Sequence, residues 1–171
     1  MLHLRFKVKS RIAAGFTLME LLIVLAIISI VGVIGSYNWN HYVRNTELRT
    51  FARELTGDIA ELKMKAKKDG LCYRITIYTA ANGNKYTLEK ANQPGGCDGA
   101  TFTLQKTKSP ASLGLRDGLN ISSTSYSGSH INFQTRGTIN MGKVIMTNQK
   151  GSEATITSNI TGKTYVEYSM R

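Results

Sequence analysis

The stretch Gly15-Phe-Thr-Leu-Met-Glu-Leu-Leu-Ile-Val-Leu-Ala-Ile-Ile-Ser-Ile-Val-Gly-Val-Ile-Gly35 decides how the rest of the chain is read. Its one charge is Glu20, and no Lys, Arg, Asp or Glu follows from Leu21 through Val43. A helix needs about 20 apolar residues to cross the ~30 Å hydrocarbon core of a bilayer, so this run is long enough to span one. Arg5, Lys7, Lys9 and Arg11 precede it without an acid, which predicts a cytoplasmic amino terminus and the remainder outside. A secretory signal peptide would end in a small-residue cleavage site after a shorter apolar region. A plain single-span anchor leaves Glu20 unexplained, because a carboxylate in a membrane segment costs several kcal/mol on insertion scales.

Outward from this run the chain changes character. The 171 residues are 42% hydrophobic and 19% charged, with 16 Gly and 2 Pro, which excludes a disordered polyelectrolyte and a collagen-like repeat. A mean hydropathy of −0.17 conceals an apolar first fifth and a polar remainder. The net charge of +11 suits nucleic acid, anionic lipid or acidic glycans without choosing among them. Four of the 22 bases lie in the first fifteen residues, so the rest carries 18 − 11 = +7.

Trp39, His41 and Tyr42 suit a membrane interface. Leu48, Ala52, Leu55, Ile59, Leu62 and Ala66 then mark one apolar stripe on a helix, with charges on its other faces and Asp69-Gly70 as a stop. The run Lys63-Met-Lys-Ala-Lys-Lys68 is read as a solvated helix end opposing the negative pole of the helix dipole rather than as a nucleic-acid contact. One helix is therefore expected from Phe16 to about Lys68. After Gly70 the period becomes two. Strands are expected from Leu71 to Tyr78, across a turn at Asn82-Gly83-Asn84 to Lys85–Lys90, and then at 100–107, 120–123, 131–134, 143–148, 154–158 and 164–169. The expected fold is α+β, a long helix packed on an antiparallel β-sheet head.

Gly15-Phe16-Thr17-Leu18-Met19-Glu20 and the apolar run after it resemble the type III signal of type IV pilins and type II secretion pseudopilins. The resemblance implies that a prepilin peptidase cuts between Gly15 and Phe16 on the cytoplasmic side and N-methylates Phe16. It implies four segments: a cleaved leader at 1–15, a transmembrane and filament-core helix at 16–43, an amphipathic helix at 44–69, and a periplasmic β-rich head at 70–171. Glu20 would set the axial register by pairing with the terminal amine of a neighbouring subunit, since a buried acid needs a cation. Leu21, Leu22, Val24, Leu25, Ile27, Ile28 and Ile30 would pack the filament core. Many pilins carry a proline where this chain has Tyr37, which leaves Gly32 and Gly35 as weak points of the helix. The implied location is the bacterial inner membrane, single-pass, then a pilus or pseudopilus. The implied partners are the peptidase, other pilins or pseudopilins, the inner-membrane assembly platform and the inner membrane itself.

The order of the head, ending in Ile131-Asn-Phe-Gln-Thr-Arg-Gly137, Val144-Ile-Met-Thr-Asn148 and Ile160-Thr-Gly-Lys-Thr-Tyr-Val166, is similar to GspH/FimT-type minor pilins and pseudopilins. Some members similar to FimT bind DNA through Gly-Arg-x-Arg, and the matching positions here are Gly162-Lys163-Thr164-Tyr165. Lys contacts phosphate as a point charge and lacks the arginine fork. Lys143, Lys150, Lys163 and Arg171 are the candidate DNA-binding residues of that alternative, a receptor for natural transformation. A major pilin or an adhesin is a further alternative.

Gly162-Lys163-Thr164 is not a P-loop, because the first glycine of that pattern would fall at Thr157. Cys72 and Cys97 lie in the extracytoplasmic part, where a disulfide enclosing the hairpin is the natural reading. His3, His41 and His130 show no metal-ligand spacing with them. No paired carboxylates near a histidine, nucleophile motif or metal cluster is present, so neither an enzyme nor a cofactor is expected.

Overall fold

A computed structural model describes residues 16–171, with residues 34–38 described by their backbone alone. The expected leader and its cleavage residue Gly15 lie outside the described residues. Helix α1 (Leu18–Asp69) carries the boundary between two compact units, which meet at Trp39/Asn40.

In the first unit the helix opens on a side-chain cap. The Glu20 N–H donates to Thr17 Oγ1 at 3.2 Å and the Leu21 N–H to the Thr17 carbonyl at 3.2 Å. Thr17 thus accepts one of the four N–H groups that the first helical turn leaves without partners. The large apolar side chains from Leu18 through Val33 are 43–78% exposed. The Ser29 hydroxyl turns back to the Leu25 carbonyl at 2.8 Å. Among the described residues no helix is long and apolar enough to cross a membrane. The described apolar run, Leu18–Val33, measures ~24 Å at 1.5 Å per residue, short of ~30 Å.

In the second unit, Leu48, Ala52, Leu55, Ile59, Leu62 and Ala66 are all at most 2% exposed, and Phe51 joins them. Spacings of three and four place them on one face. Gly70, at φ +63°, ends the helix in the left-handed region that glycine adopts without strain.

Eight antiparallel strands follow: β1 (Leu71–Tyr78), β2 (Lys85–Pro94), β3 (Phe102–Lys108), β4 (Asn120–Thr124), β5 (His130–Phe133), β6 (Gly142–Thr147), β7 (Glu153–Ser158) and β8 (Thr164–Ser169). They sort into two four-stranded sheets, in the orders β3-β2-β1-β5 and β4-β6-β7-β8. The turn between β1 and β2 runs from Thr79 to Asn84. The Thr79 carbonyl accepts the Asn82 N–H at 2.8 Å and the Asn84 N–H at 3.0 Å, while Gly83 supplies φ +109°.

Alternation delivers one face of each sheet to a common core. Tyr73, Ile75 and Ile77 of β1, Ile131 and Phe133 of β5, Ile121 of β4, Val144 and Met146 of β6, and Ala154 and Ile156 of β7 pack with the helix stripe. Cys72 points the other way and is bonded to Cys97, with a Cα–Cα distance of 5.3 Å. The bridge spans 25 positions, for which chain-entropy models give about 3 kcal/mol.

One charged cluster enters the core. The Lys108 ammonium, at the end of β3, donates to Glu54 Oε1 at 2.6 Å and to Asp58 Oδ1 and Oδ2 at 2.7 and 2.8 Å. The Tyr86 hydroxyl donates to Asp58 Oδ2 at 2.7 Å. Lys108 and Asp58 are each 5% exposed, so neither can lose its partner without stranding a desolvated charge. Burial alone would depress the Lys108 ammonium, but its bonds to Asp58 and Glu54 outweigh this and raise its pKa. Burial, then the bond to Asp58, pushes the Tyr86 hydroxyl far above the ordinary tyrosine value.

Lys108→Met is expected to destabilise the head by ~3–5 kcal/mol, since it leaves Asp58 buried and unpaired; denaturant unfolding measures this. Both raised groups hold their protons more tightly folded than unfolded. Their contribution is therefore full below their unfolded pKa values, about 10, and is lost as pH rises above that. Between pH 8 and 11 the wild-type head should lose more stability than Lys108→Met does.

Candidate functional site: the helix cap and the surface of the head

Phe16, expected to become the new amino terminus, is 78% exposed. Glu20 occupies the third position of the helix after the Thr17 cap, the Thr-x-x-Glu spacing of a capping box. A carboxylate there faces the positive pole of the helix dipole. Glu20 is itself exposed, so its oxygens are accessible to a cation from another chain. The first turn can thus present one anion at the start of an otherwise apolar helix.

The four candidate DNA-binding bases fall into two pairs. Lys143 is opposite Thr157, which is opposite Tyr165, and the Lys163 ammonium lies 5.0 Å from the Tyr165 ring centroid. Lys143 and Lys163 therefore share one end of the second sheet. Lys150 and Arg171 lie at the other end. The Arg171 N–H donates to Ser152 Oγ at 3.0 Å, and the Ser152 hydroxyl donates to Asn45 Oδ1 at 2.8 Å. The length of β7 separates the pairs, ~17 Å at ~3.4 Å per residue. Glu153 and Glu167 lie on the same exposed face between them.

Two further lysines join the first pair. The Lys63 ammonium donates to the Thr161 carbonyl at 2.7 Å, with its stem against Gly162, and Lys67 lies against Gly137. A Cβ at Gly137 would meet Lys67 Cε at 1.8 Å, and one at Gly162 would meet Lys63 Cδ at 2.8 Å. Both glycines have positive φ, +82° and +73°. They let two lysines four positions apart on α1 lie across the β5–β6 and β7–β8 turns. Lys67 is exposed and Lys63 half-buried, in keeping with the expected solvated helix end, and their contact with the two glycine turns is what the sequence did not announce.

The outer face of the first sheet carries a polar network that the sequence did not announce. Glu89 Oε2 accepts from Arg74 Nε at 2.8 Å, and Oε1 accepts from the Thr76 and Thr87 hydroxyls at 3.0 and 2.7 Å. Thr76 Oγ1 lies 3.1 Å from His130 Nδ1. Burial, then the charge of Arg74, depresses the His130 pKa. Burial works against the Glu89 carboxylate, but the hydrogen bonds from Thr87, Arg74 and Thr76 outweigh it and lower its pKa. The network's polar groups satisfy one another, and among the described residues no group of three or more His, Cys, Asp or Glu could hold a metal ion.

Comparison with known proteins adds to this geometry. The prokaryotic N-terminal methylation motif matches residues 10–36. No curated protein matches the chain by sequence. Among solved structures, the minor pseudopilin EpsH from the type 2 secretion system of Vibrio cholerae is similar at 10% identity, with a TM-score of 0.55 over 71% of this chain and 96% of that one. The type IV minor pilin FimU of Pseudomonas aeruginosa PAO1 is similar at 14% identity, with a TM-score of 0.54 over 74% and 92%. At such identities the likeness is one of fold, and the class it defines is the pilin fold. The methylation motif at the start of the chain and the pilin fold after it are the two features this chain shares with such proteins.

Gly137→Ala and Gly162→Ala are each expected to cost the head about 1–2 kcal/mol through positive φ alone. At Gly137 a second part arises from displacing Lys67. Adding Lys67→Ala should recover that part and leave the backbone part, which a double-mutant cycle on unfolding free energies measures.

Proposed function

We propose that this chain is a structural subunit, a GspH/FimT-like minor pilin or pseudopilin, of a type IV pilus or a type II secretion pseudopilus. One observation carries the reading: a helix that exposes large apolar side chains from Leu18 through Val33 and begins with a single carboxylate held in a threonine-capped first turn. Such a surface is stable only when covered by lipid or by other helices. The residues serve both states in turn.

In the first state the bases of the leader 1–15 hold the amino terminus in the cytoplasm, the segment 16–43 anchors the chain in the inner membrane, and the head at 70–171 is periplasmic. Prepilin peptidase removes the leader after Gly15 and methylates Phe16. In the second state the same apolar surface, with Leu21, Leu22, Val24, Leu25, Ile27, Ile28 and Ile30, packs against neighbouring helices on the assembly platform. Glu20 then takes the terminal amine of a neighbour, because an unpaired carboxylate in that environment costs several kcal/mol. A subunit one step out of register would strand both charges. The amphipathic segment 44–69 carries the head, and the chain is assembled without performing a reaction of its own.

Glu20→Gln removes the charge and keeps the shape. The variant should still be shortened by the fifteen-residue leader, seen by intact mass, while its amount in the sheared filament fraction falls about tenfold or more, as loss of a buried charge pair predicts. Incorporation equal to wild type would remove the register role. Gly15→Trp should leave the leader attached.

A further inference from the structure

The head's bases divide sharply between those held in ion pairs and those left over. Lys65, Arg74, Lys90, Lys108 and Arg116 each pair with a carboxylate. Thirteen bases pair with none among the described residues, and five of these, Lys63, Lys67, Arg136, Lys143 and Lys163, lie toward one end of the head. Lys67 lies on the Gly137 turn beside Arg136, and Lys63 lies on the Gly162 turn beside Lys163. Lys143 reaches the same end through its register with Thr157 and Tyr165. Five cations toward one end of the head without an ion-paired carboxylate make that end positive, which an acidic partner would relieve.

The same end exposes apolar side chains. Met141 is 68% exposed, Ile160 58% and Tyr165 48%. Ile160 is tied to this end by its carbonyl, which accepts the Ile139 N–H at 3.1 Å, and Met141 directly precedes β6. A protein interface combines apolar anchors with a charged rim, and this end offers both. A second copy of the chain is a poor occupant. From residue 40 onward there are ten acids, and six of them (Glu47, Glu54, Asp58, Glu61, Asp69 and Glu89) are already ion-paired within the head.

From this juxtaposition we infer that the end of the head formed by the β5–β6 and β7–β8 turns docks a different protein chain, one that presents carboxylates around an apolar contact for Met141 and Ile160. Charge complementarity selects the partner, and like-charge repulsion rejects a second copy. The inference goes beyond the filament reading and does not require it.

The test places photoreactive p-benzoylphenylalanine at Met141 or Ile160 of the full-length chain in its own cells, followed by irradiation and peptide sequencing of the adduct. The expected product is an adduct with one different polypeptide, joined through a peptide of net negative charge. Lys143→Glu with Lys163→Glu should lower its yield about tenfold or more, and Asp or Glu→Lys in the joined peptide should restore it. Lys150→Glu, at the far end of the sheet, should leave the yield unchanged, and retention of the Cys72–Cys97 bridge on a non-reducing gel checks that each variant folds. An adduct to a second copy, a nuclease-sensitive adduct, an adduct indifferent to the charge reversals, or no adduct at either position would overturn the inference. Recovery of the chain in the filament fraction is scored separately, so failure of the filament reading is distinguishable from failure of this one.

Discussion

The apolar seam from Leu48 to Ala66 is what the head is built around, because a single line of side chains satisfies two sheets at once. Each sheet offers one apolar face, and neither could bury it by packing on water-exposed turns. The helix supplies the shared third surface, and the core residues of β1, β5, β6 and β7 meet on it. Loss of the seam would therefore separate the sheets from each other as well as from the helix. The Lys108 cluster adds direction to this arrangement. A hydrophobic stripe alone permits sliding along the helix axis, whereas an ammonium bonded to carboxylates on successive turns, Glu54 and Asp58, fixes where the end of β3 must lie.

The sequence made the elements legible and left their pairing open. Period-two alternation located eight strands, and the structure has eight at nearly the same residues, since alternation reports which side chains face a core whatever strand lies beside them. It says nothing of hydrogen-bond partners, so the division into two sheets was not readable. The helix stripe was readable because spacings of three and four are unambiguous over six positions. Phe51 escaped because it adjoins Ala52, one position off the counted stripe. The Lys108–Asp58 pair escaped for a different reason: the two residues are fifty positions apart, and each looks alone like an ordinary solvated charge.

The candidate site divides along the same line. Features that reside in contiguous residues, such as the Thr17-x-x-Glu20 start and the apolar run, were visible because local chemistry defines them. Features assembled by the fold were not. Lys63 and Lys67 read as a solvated helix end, and only the fold brings the glycine turns at 137 and 162 beneath their stems. Lys143, Lys150, Lys163 and Arg171 read as one group because all are basic, yet antiparallel register carries two to each end of the sheet.

That redistribution changes what the positive charge means. As a total, +11 describes a chain attracted to any polyanion. Resolved by position, four bases belong to the leader, five are paired with carboxylates, and of the other thirteen five lie toward one end of the head, which also exposes Met141, Ile160 and Tyr165. A solubilising surface needs charge spread evenly and gains nothing from apolar neighbours. Convergence with apolar residues places the unspent charge where a complementary surface can use it. The molecule thus carries two unmatched surfaces of different chemistry, an apolar helix with one anion and a cationic head end with apolar anchors, and partners of opposite character suit them.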